Sequence, residues 1–258
     1  MPGTKITIRK YVLSLTGLIL LILFWWVASL QQKPGTYLLP APKATFEKLI
    51  GFFSTGIVFR DLTETLSRML GGFLLAAVLG TLTGMLLGSV AILRQMLESL
   101  MDFFRSIPVT ALYPVFVLLF GIGTGSKIAM IFWACYFVIS INTMYGVLQS
   151  NPIRRRMAGL YGARPFSIFT RITFFDALPY TMVGLRIGIS YSLIVSILTE
   201  MFMGSQYGIG QRITESYNLY QIDALAAWII IAGILGYLLN RLFVIIEKKS
   251  VGWKFNAD

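Results

Sequence analysis

Long apolar runs alternate with short polar segments along almost the whole chain. Each run reaches or approaches the roughly 20 residues that a helix needs to cross a bilayer. The six runs are Tyr11–Leu30, Met69–Leu93, Ser106–Ile122, Ile128–Ser150, Ala177–Met203 and Ala224–Ile246. Their apolar character is continuous and does not alternate residue by residue, which favours helices over strands. The pattern predicts an all-α polytopic membrane protein with about six transmembrane helices, forming a single transmembrane domain over residues 1–258.

Proline and glycine positions predict two local features of these runs. The third run is the shortest and contains Pro108 and Pro114, so we expect a kink in it. In the second run, Gly80, Gly84 and Gly88 repeat every four residues. This spacing places small residues on one stripe of a helix and predicts close packing against a neighbouring helix.

Composition and charge agree with a membrane protein and suggest its orientation. The mean hydropathy is +0.75, and only 13% of the residues are charged, about half the fraction of a soluble domain. Thirteen Lys and Arg residues flank one side of the predicted helices and six flank the other. The positive-inside rule then predicts that both termini and residues 94–105 and 151–176 are cytoplasmic. The net charge of +11 follows from this bias, so we expect no nucleic-acid partner.

The sequence lacks the residues that most catalytic and metal sites require. It contains no His and one Cys, Cys135, which lies inside an apolar run, and its acidic residues form no paired cluster. The GIGTGSK segment at 121–127 fails the spacing of a phosphate-binding loop, because Ser126 separates Gly125 from Lys127. We therefore expect no catalytic site, no metal and no cofactor, and any ATP hydrolysis must occur in another protein.

Residues 154–179 are the most unusual segment between two runs. They contain five arginines among Gly and Pro residues, far more than a simple connection between spanning helices needs. Ala158 and Gly162 are four residues apart, so on a helix they share one face that could lie close to a partner. Arginines on the remaining faces could meet acidic residues or lipid phosphates. The segment predicts a cytoplasmic docking element, the alternative being a generic basic loop beside the membrane.

Several segments in order resemble the permease subunits of bacterial ABC importers, in the branch that includes sulfonate, taurine, nitrate, bicarbonate and vitamin-precursor permeases. The resemblance rests on Thr65–Gly88, Phe104–Gly123, Ala158–Gly162 with Pro179, Gly184–Arg186, Glu200 and the QYGIG segment at 206–210. It implies a type I ABC importer-like fold with a permease core over about residues 62–246. It also implies that residues 151–176 are the loop that couples the permease to its ATPase.

The resemblance further implies partners and coupling residues. The partners would be two ABC ATPase subunits, a second permease copy, an extracytoplasmic solute-binding protein and the lipid of a bacterial inner membrane. The coupling residues would be Arg156, Met157, Ala158, Gly159, Gly162, Ala163 and Arg164. Arg156 and Met157 depart from the family pattern, which has Glu and Ala at these two positions. The departure indicates a co-adapted partner or a subunit that couples poorly.

Charged residues inside the predicted helices are candidates for the pathway. Arg186 and Glu200 lie fourteen residues apart in the fifth run, about 21 Å along a helix, so they cannot pair with each other. Arg186 could snorkel to the cytoplasmic surface, whereas Glu200 could line a gate or bind the adjacent loop. Glu64 and Arg68, spaced i and i+4, predict an ion pair at a helix end.

Together these features predict a permease subunit of an ATP-driven importer for a small solute. The solute could be an organic or inorganic anion, such as a sulfonate or nitrate, or a vitamin precursor. The alternatives are a secondary carrier, which would need ion-coupling residues near the middle of the membrane, the transmembrane component of a vitamin-type importer, and a non-transporting membrane scaffold.

Overall fold

The computed structural model describes residues 3–30 and 39–255, and every secondary-structure element among them is a helix. In chain order the helices are α1 Gly3–Leu30, α2 Pro42–Ser54, α3 Ile57–Ser89, α4 Ala91–Ser106, α5 Tyr113–Phe120, α6 Thr124–Leu148, α7 Pro152–Leu160, α8 Pro165–Ile168, α9 Phe174–Met203, α10 Ile209–Asn218 and α11 Ile222–Phe255. A 3₁₀ turn over Val109–Leu112 precedes α5, and a π-helical turn over Phe169–Thr173 joins α8 to α9. The all-α prediction is confirmed.

The chain divides into two compact units, residues 1–59 with 212–232 and residues 60–211 with 233–258. In the first unit, aromatic side chains fasten the helices to one another. The indole Nε1 of Trp25 donates a hydrogen bond to the carbonyl of Pro40 at 2.9 Å. Phe52 of α2 stacks on Trp228 of α11 with ring centroids 4.9 Å apart. That the whole chain acts as one transmembrane domain stays a prediction.

Four helical segments among the described residues are long and apolar enough to cross a membrane: Ile57–Ser89, Thr124–Leu148, Pro165–Met203 and Ile222–Gly252. They correspond to the second, fourth, fifth and sixth predicted runs. A fifth candidate is the bent pair formed by Ala91–Ser106 and Val109–Phe120. The first predicted run lies in α1, whose apolar part, Leu15–Leu30, is shorter than these spans. A sixth span therefore stays a prediction.

The third candidate span begins earlier in the structure than the third predicted run. The bent pair turns by 87° where Ile107 and Pro108 adopt extended ψ angles of 121° and 124°. Proline lacks the N–H that a helix interior needs and disfavours helical geometry at the preceding residue, so the expected kink is confirmed there. Pro114 instead occupies the first turn of α5, where proline is tolerated. The candidate span begins at Ala91, so it includes residues that the charge pattern places in the cytoplasm.

Helix directions indicate that the bent pair crosses the membrane once. Spans α3 and α6 run parallel, since Gly72 lies against Ile131 and Gly88 lies against Val147. Two parallel spans must be joined by a segment that returns across the bilayer, and α4 with α5 is that segment. Span α9 runs antiparallel to α6, because Gly146 lies against Ala177 whereas Asn142 lies against Gly184. The 151–176 loop and the 204–210 segment therefore lie at opposite ends of α9.

The glycine stripe of α3 permits the close approach that the sequence predicts. A Cβ atom on Gly84 would lie 2.4 Å from the carbonyl oxygen of Ser140 in α6. A Cβ atom on Gly80 would lie 3.1 Å from the carbonyl oxygen of Tyr136, and one on Gly88 would lie 2.5 Å from the Cβ of Val147. Side chains at these positions would force α3 away from α6. This packing fixes the start of α3 beside the end of α9.

Candidate functional site: a polar clamp and a projecting loop

Polar residues of the second unit gather at the two ends of α9. At its C-terminal end, Asp61, Thr65, Arg68 and Glu200 hold the 204–210 segment, and we call this arrangement the polar clamp. At its N-terminal end lies the 151–176 loop. The two sites differ in burial and in how their bonds are satisfied.

One face of α3 supplies three members of the clamp. Asp61, Thr65 and Arg68 have the spacing i, i+4 and i+7, which places them on one side of the helix. Asp61 Oδ1 accepts a hydrogen bond at 2.8 Å and Thr65 Oγ1 accepts one at 3.0 Å, both from backbone N–H groups. Arg68 Nη1 donates to a carbonyl at 3.0 Å. The backbone partners are, in the same order, Gly208, Ile209 and Tyr207.

Glu200 of α9 completes the clamp and is fully buried. Its Oε1 accepts a hydrogen bond from Arg68 Nη1 at 2.8 Å. Its Oε2 accepts from Thr65 Oγ1 at 3.0 Å and from the N–H of Gly210 at 2.9 Å. A buried carboxylate is strongly unfavourable unless it is paired and hydrogen-bonded. The carboxylate of Glu200 meets this requirement, because it accepts from a guanidinium, a hydroxyl and a backbone N–H group. The clamp therefore ties α3, α9 and the 204–210 segment into one polar unit.

Arg68 also binds Glu64, with Nη2 2.8 Å from Oε2, which confirms the ion pair predicted at this helix end. Local spacing did not predict that the same guanidinium reaches Glu200, 132 residues away in the chain. Nor did it predict Asp61 and Thr65 as partners of the 204–210 segment. The signal that could have found them is the helical spacing of three polar residues at the start of a spanning helix.

Glycine is required in the clamped segment because the clamp leaves no room for side chains. Gly208 has a φ of +138°, and a Cβ atom there would lie 2.6 Å from the carboxyl carbon of Glu200. A Cβ atom on Gly210 would lie 2.3 Å from the carbonyl oxygen of Ile197. The Gly-x-Gly pattern at 208–210 therefore has a direct steric reason.

Further contacts hold the start of the clamped segment. Lys127, at the beginning of α6, donates through Nζ to the carbonyl of Gly204 and to Ser205 Oγ. The N–H of Ser205 donates to Gln211 Oε1 at 3.0 Å. The guanidinium of Arg60 lies over the ring of Tyr207, 3.4 Å from its centroid. Helices α3, α6, α9 and α10 thus all contribute to the position of this segment.

The clamp is built to hold position and carries no arrangement typical of a reaction centre. Its carboxylates each accept hydrogen bonds from donors around them. In the described part of the chain, no group of three His, Cys, Asp or Glu side chains could hold a metal ion. In this conformation Glu200 binds the adjacent backbone, which is one of the two alternatives for this residue. A role for Glu200 as a gate stays a prediction.

Arg186, the other charged candidate in the fifth run, lies apart from the clamp. Its Nη1 is 3.4 Å from Glu247 Oε2 of α11, and the Arg186 side chain is partly exposed. Arg186 and Glu200 therefore bind different partners, as their separation along α9 requires. The pair links α9 to the C-terminal part of α11, and a pathway role for Arg186 stays a prediction.

The 151–176 loop contains a short helix, α7, with well-formed caps. At its start, Asn151 Oδ1 accepts hydrogen bonds from the N–H groups of Ile153 and Arg154, and Pro152 occupies the first turn. At its end, Ala163 N donates to the carbonyl of Ala158 at 3.0 Å, and Gly162 has a φ of +81°. This is the Schellman arrangement, in which glycine terminates a helix.

The cap corrects one expectation about the loop. Ala158 lies inside α7, whereas Gly162 lies beyond its last residue, Leu160. The prediction that Ala158 and Gly162 share a helix face is therefore wrong, because the positive φ of Gly162 ends the helix before that position. The space that a Cβ atom on Gly162 would occupy is open.

Asp176, in the first turn of α9, fastens α7 to the membrane helix. Its Oδ2 accepts from Ser150 Oγ at 2.9 Å and from the N–H of Asn151 at 3.2 Å. Its Oδ1 accepts from Arg154 Nη2 at 2.8 Å. These bonds join the beginning of α7 directly to the beginning of α9, so a displacement of α7 pulls on α9.

One exposed stripe of α7 is apolar. Ile153, Met157 and Leu160 follow the spacing i, i+4 and i+7 and form a stripe, which Tyr161 extends. Leu160 is 89% exposed and Tyr161 is 87% exposed. Among the coupling candidates, Arg156, Met157, Gly159, Gly162 and Arg164 are exposed, and Ala158 and Ala163 are half-buried. A contiguous apolar stripe beside arginines is typical of an interaction surface.

Comparison with known proteins identifies the family. Residues 76–251 match the family model described as the binding-protein-dependent transport system inner membrane component. The nitrate import permease protein of Synechocystis sp. is 29% identical over 259 residues, covering 97% of this chain and 93% of that protein. The taurine transport system permease protein of Escherichia coli is 25% identical over 250 residues, covering 95% and 90%.

A solved structure agrees with this assignment. A chain of the MetNI methionine ABC transporter, in an inward-facing conformation, aligns with a TM-score of 0.66 at 20% identity. The alignment covers 75% of this chain and 96% of that chain. At this identity the likeness shows the fold, which is that of a type I ABC importer permease. The chain therefore belongs to the family of binding-protein-dependent transport system inner membrane components.

Proposed function

We propose that two copies of this chain form one transport pathway, with an ATPase subunit docked on the 151–176 loop of each copy. The chain itself is the multi-pass inner-membrane permease subunit of an ABC importer. In this family, ATP hydrolysis belongs to separate ATPase subunits, and a solute-binding protein delivers the solute. We place both termini and the 151–176 loop in the cytoplasm, and the polar clamp on the outer side.

The observation that carries the docking proposal is the exposed apolar stripe of α7, defined by Ile153, Met157, Leu160 and Tyr161. Apolar side chains of this size are favoured on a small helix when a partner buries them. The bonds of Asp176 connect this stripe to α9. Docking on α7 would therefore transmit a movement of the ATPase to a membrane-spanning helix.

The departure at Arg156 and Met157 fits a co-adapted partner. Met157 belongs to the stripe and adds apolar area where the family pattern has alanine, and methionine adapts well to irregular grooves. Arg156 is exposed and is suited to an acidic residue at the rim of such a groove. Arg164 is exposed at the other end of the loop and could make a similar contact.

A pair of matched variants tests the docking proposal. The dipeptide Leu-Tyr occurs at 160–161 in the loop and again at 219–220 between α10 and α11, and all four side chains are exposed. We expect Leu160→Glu with Tyr161→Glu to abolish co-purification of the ATPase subunit with tagged permease. Leu219→Glu with Tyr220→Glu should retain it. Equal recovery of ATPase from both variants would overturn the docking proposal.

An exposed apolar face of α9 supports the proposal that two copies of the chain associate. Val183, Ile187, Tyr191 and Ile194 form an exposed stripe along this helix, and a partner subunit would complete a pathway there. Light scattering of the detergent-solubilised complex should give a mass that contains two permease chains. A mass that contains one would contradict the dimer.

Cysteine labelling tests the orientation. In a Cys135→Ala background, an impermeant thiol reagent should label Gln206→Cys in intact cells and Phe166→Cys only after permeabilisation. Both positions are exposed. The reverse pattern would place the 151–176 loop outside.

The solute class follows from the relatives only by analogy. The two relatives are a nitrate and a taurine permease, which supports a small anionic or zwitterionic solute. We also propose that Glu200 and the clamp set the position of the outer gate, and that Arg186 acts near the cytoplasmic end of α9.

A further inference from the structure

A cavity of about 400 Å³ lies beside the break between α4 and α5. Its wall on α6 includes Trp133 and Phe137, and its wall on α9 includes Tyr191 and Ile194. Helix α6 spans 25 residues, and these wall positions lie near the middle of it. The cavity is therefore at the depth of the bilayer centre, between three membrane segments of the second unit.

The helix break that borders the cavity cannot face lipid. Residues Ser106 to Thr110 line the cavity, and this stretch includes the extended residues Ile107 and Pro108. Non-helical backbone at membrane depth is tolerated only where it is buried in protein or lines a water-filled space. Broken membrane helices in transporters place such backbone at solute sites. The cavity therefore meets the requirement for a water-filled compartment beside a helix break.

A cationic side chain, that of Arg105, lies at the edge of this cavity. Arg105 lines the cavity, its side chain is 53% exposed, and its Nη2 is 3.2 Å from Asp102 Oδ1. A charge at the bilayer centre costs about 2.5–3.5 kcal/mol on insertion scales unless it faces water or a partner. Arg94, Glu98 and Asp102 lie on the same side of α4 as Arg105, at spacings of three and four residues. Together they form a polar track along α4 that ends at the cavity.

The rest of the lining determines which anion would fit. Trp133, Phe137, Tyr191 and Leu198 offer apolar and aromatic surface, and Ser106 and Thr110 offer hydroxyl groups. A bare inorganic anion would lose its hydration against such walls, whereas an apolar body would gain contact area. We propose that this cavity binds a small organic anion during transport, with its charged group at Arg105 and its apolar body against the aromatic wall. The inference rests on the proposed importer function and narrows its solute class.

The test compares two thiol reagents of opposite charge and similar size. Thr110→Cys, in a Cys135→Ala background, is reconstituted with its ATPase subunit in nanodiscs. It is then treated with methanethiosulfonate ethylsulfonate, which is anionic, or with the cationic ethyltrimethylammonium analogue. We expect the anionic reagent to react about tenfold faster, as a focused positive potential produces for small ions. The rate ratio removes any effect of Arg105 on thiol reactivity, because both reagents react with the same thiolate.

Two further measurements assign the preference to the cavity. Arg105→Gln should abolish the anionic preference at Thr110→Cys. Butanesulfonate should slow the labelling, whereas nitrate at the same concentration and ionic strength should not. Val78→Cys, exposed in α3 and away from the cavity lining, is the control and should react slowly with both reagents. Ser106→Cys provides a second reporter if Thr110→Cys does not fold.

Three results would overturn the inference: equal rates for the two reagents, equal protection by nitrate, or labelling at both reporter positions as slow as at the Val78→Cys control. The last result would mean that lipid or the second copy fills the cavity. Recovery of the ATPase subunit in the same preparation is scored separately. Its absence would count against the importer function, whereas its presence with no anionic preference would count against the cavity site alone.

Discussion

The two ends of α9 differ in which side chains they bury and which they expose. At the polar clamp, charged and hydroxyl side chains are buried, and the groups that hold the 204–210 segment are bonded to each other across long sequence separations. At the 151–176 loop, the apolar side chains of α7 face outward, and the bonds that shape the helix are local caps. The clamp is complete within one chain, whereas the docking proposal requires a partner to cover the surface of the loop.

This difference separates two kinds of mutational effect. Changes in the clamp should act mainly on the stability of the permease, because each one either leaves a buried polar group without its partner or forces a side chain into occupied space. Changes on the face of α7 should act mainly on coupling, because the side chains are not yet buried. The following variants test this division, from the largest expected effect on stability to the smallest.

Arg68→Met should have the largest effect. It leaves the fully buried carboxylate of Glu200 without its cation, and breaking a buried ion pair in this way costs about 3–5 kcal/mol. Thermal unfolding of the purified permease in detergent measures the loss. The double variant Arg68→Met with Glu200→Leu should recover part of it, since the unpaired charge is gone. A double variant no more stable than Arg68→Met would contradict the role of the pair.

Gly208→Ala should have the second-largest effect. The new Cβ atom would lie 2.6 Å from the carboxyl carbon of Glu200, at a φ of +138°, so both the clash and the backbone geometry oppose it. We expect a loss of about 1–3 kcal/mol, the usual cost of overpacking. Gly125→Ala is a suitable control, because open space surrounds that position. Similar melting temperatures for the two variants would mean that the clamp can open without cost.

Sequence predicts the local interactions of these regions better than the contacts between residues far apart in the chain. Four of the apolar runs, the glycine stripe of α3 and the Glu64–Arg68 pair are local patterns, and the structure confirms them. The contact of Arg68 with Glu200 depends on how α3 packs beside α9, which no local pattern encodes. The prediction that Gly162 shares a helix face with Ala158 is wrong for a different reason. Helical periodicity was extended across a glycine that could equally terminate the helix, and the capping bonds decide between the two.

The start of the third span illustrates a further limit. The charges of α4 predict a cytoplasmic segment over residues 94–105, whereas the structure makes α4 the first half of a bent helix pair that is apolar enough, as a pair, to be a span. Hydropathy assumes that charged residues avoid the membrane, and this assumption fails where a helix lines a wet cavity. Water in the cavity proposed beside Arg105 would explain how α4 accommodates these charges.

Gly162→Ala should have a smaller effect than either clamp variant. Its φ of +81° is unfavourable for any residue with a Cβ atom, at a cost of about 1–2 kcal/mol. Because the surrounding space is open, the strain should fray the end of α7 and leave the membrane helices intact. Amide hydrogen exchange should therefore rise in residues 158–164 and stay unchanged in α6. Faster exchange throughout α9 would show that the loop stabilises the membrane helices, which would contradict the expectation that changes in the loop act mainly on coupling.

Leu160→Glu with Tyr161→Glu should have the smallest effect on stability, within about 0.5 kcal/mol, as for other exposed positions. Both side chains are almost fully exposed, so replacing them removes little buried apolar area from the isolated permease. Its melting temperature should match that of the unaltered protein, while ATP hydrolysis stimulated by the solute-binding protein should be lost, because the ATPase subunit no longer docks on α7. Loss of stability and loss of coupling together would mean that α7 packs against its own chain. The combination of full stability with lost coupling is the result that distinguishes a surface made for a partner from one that is part of the fold.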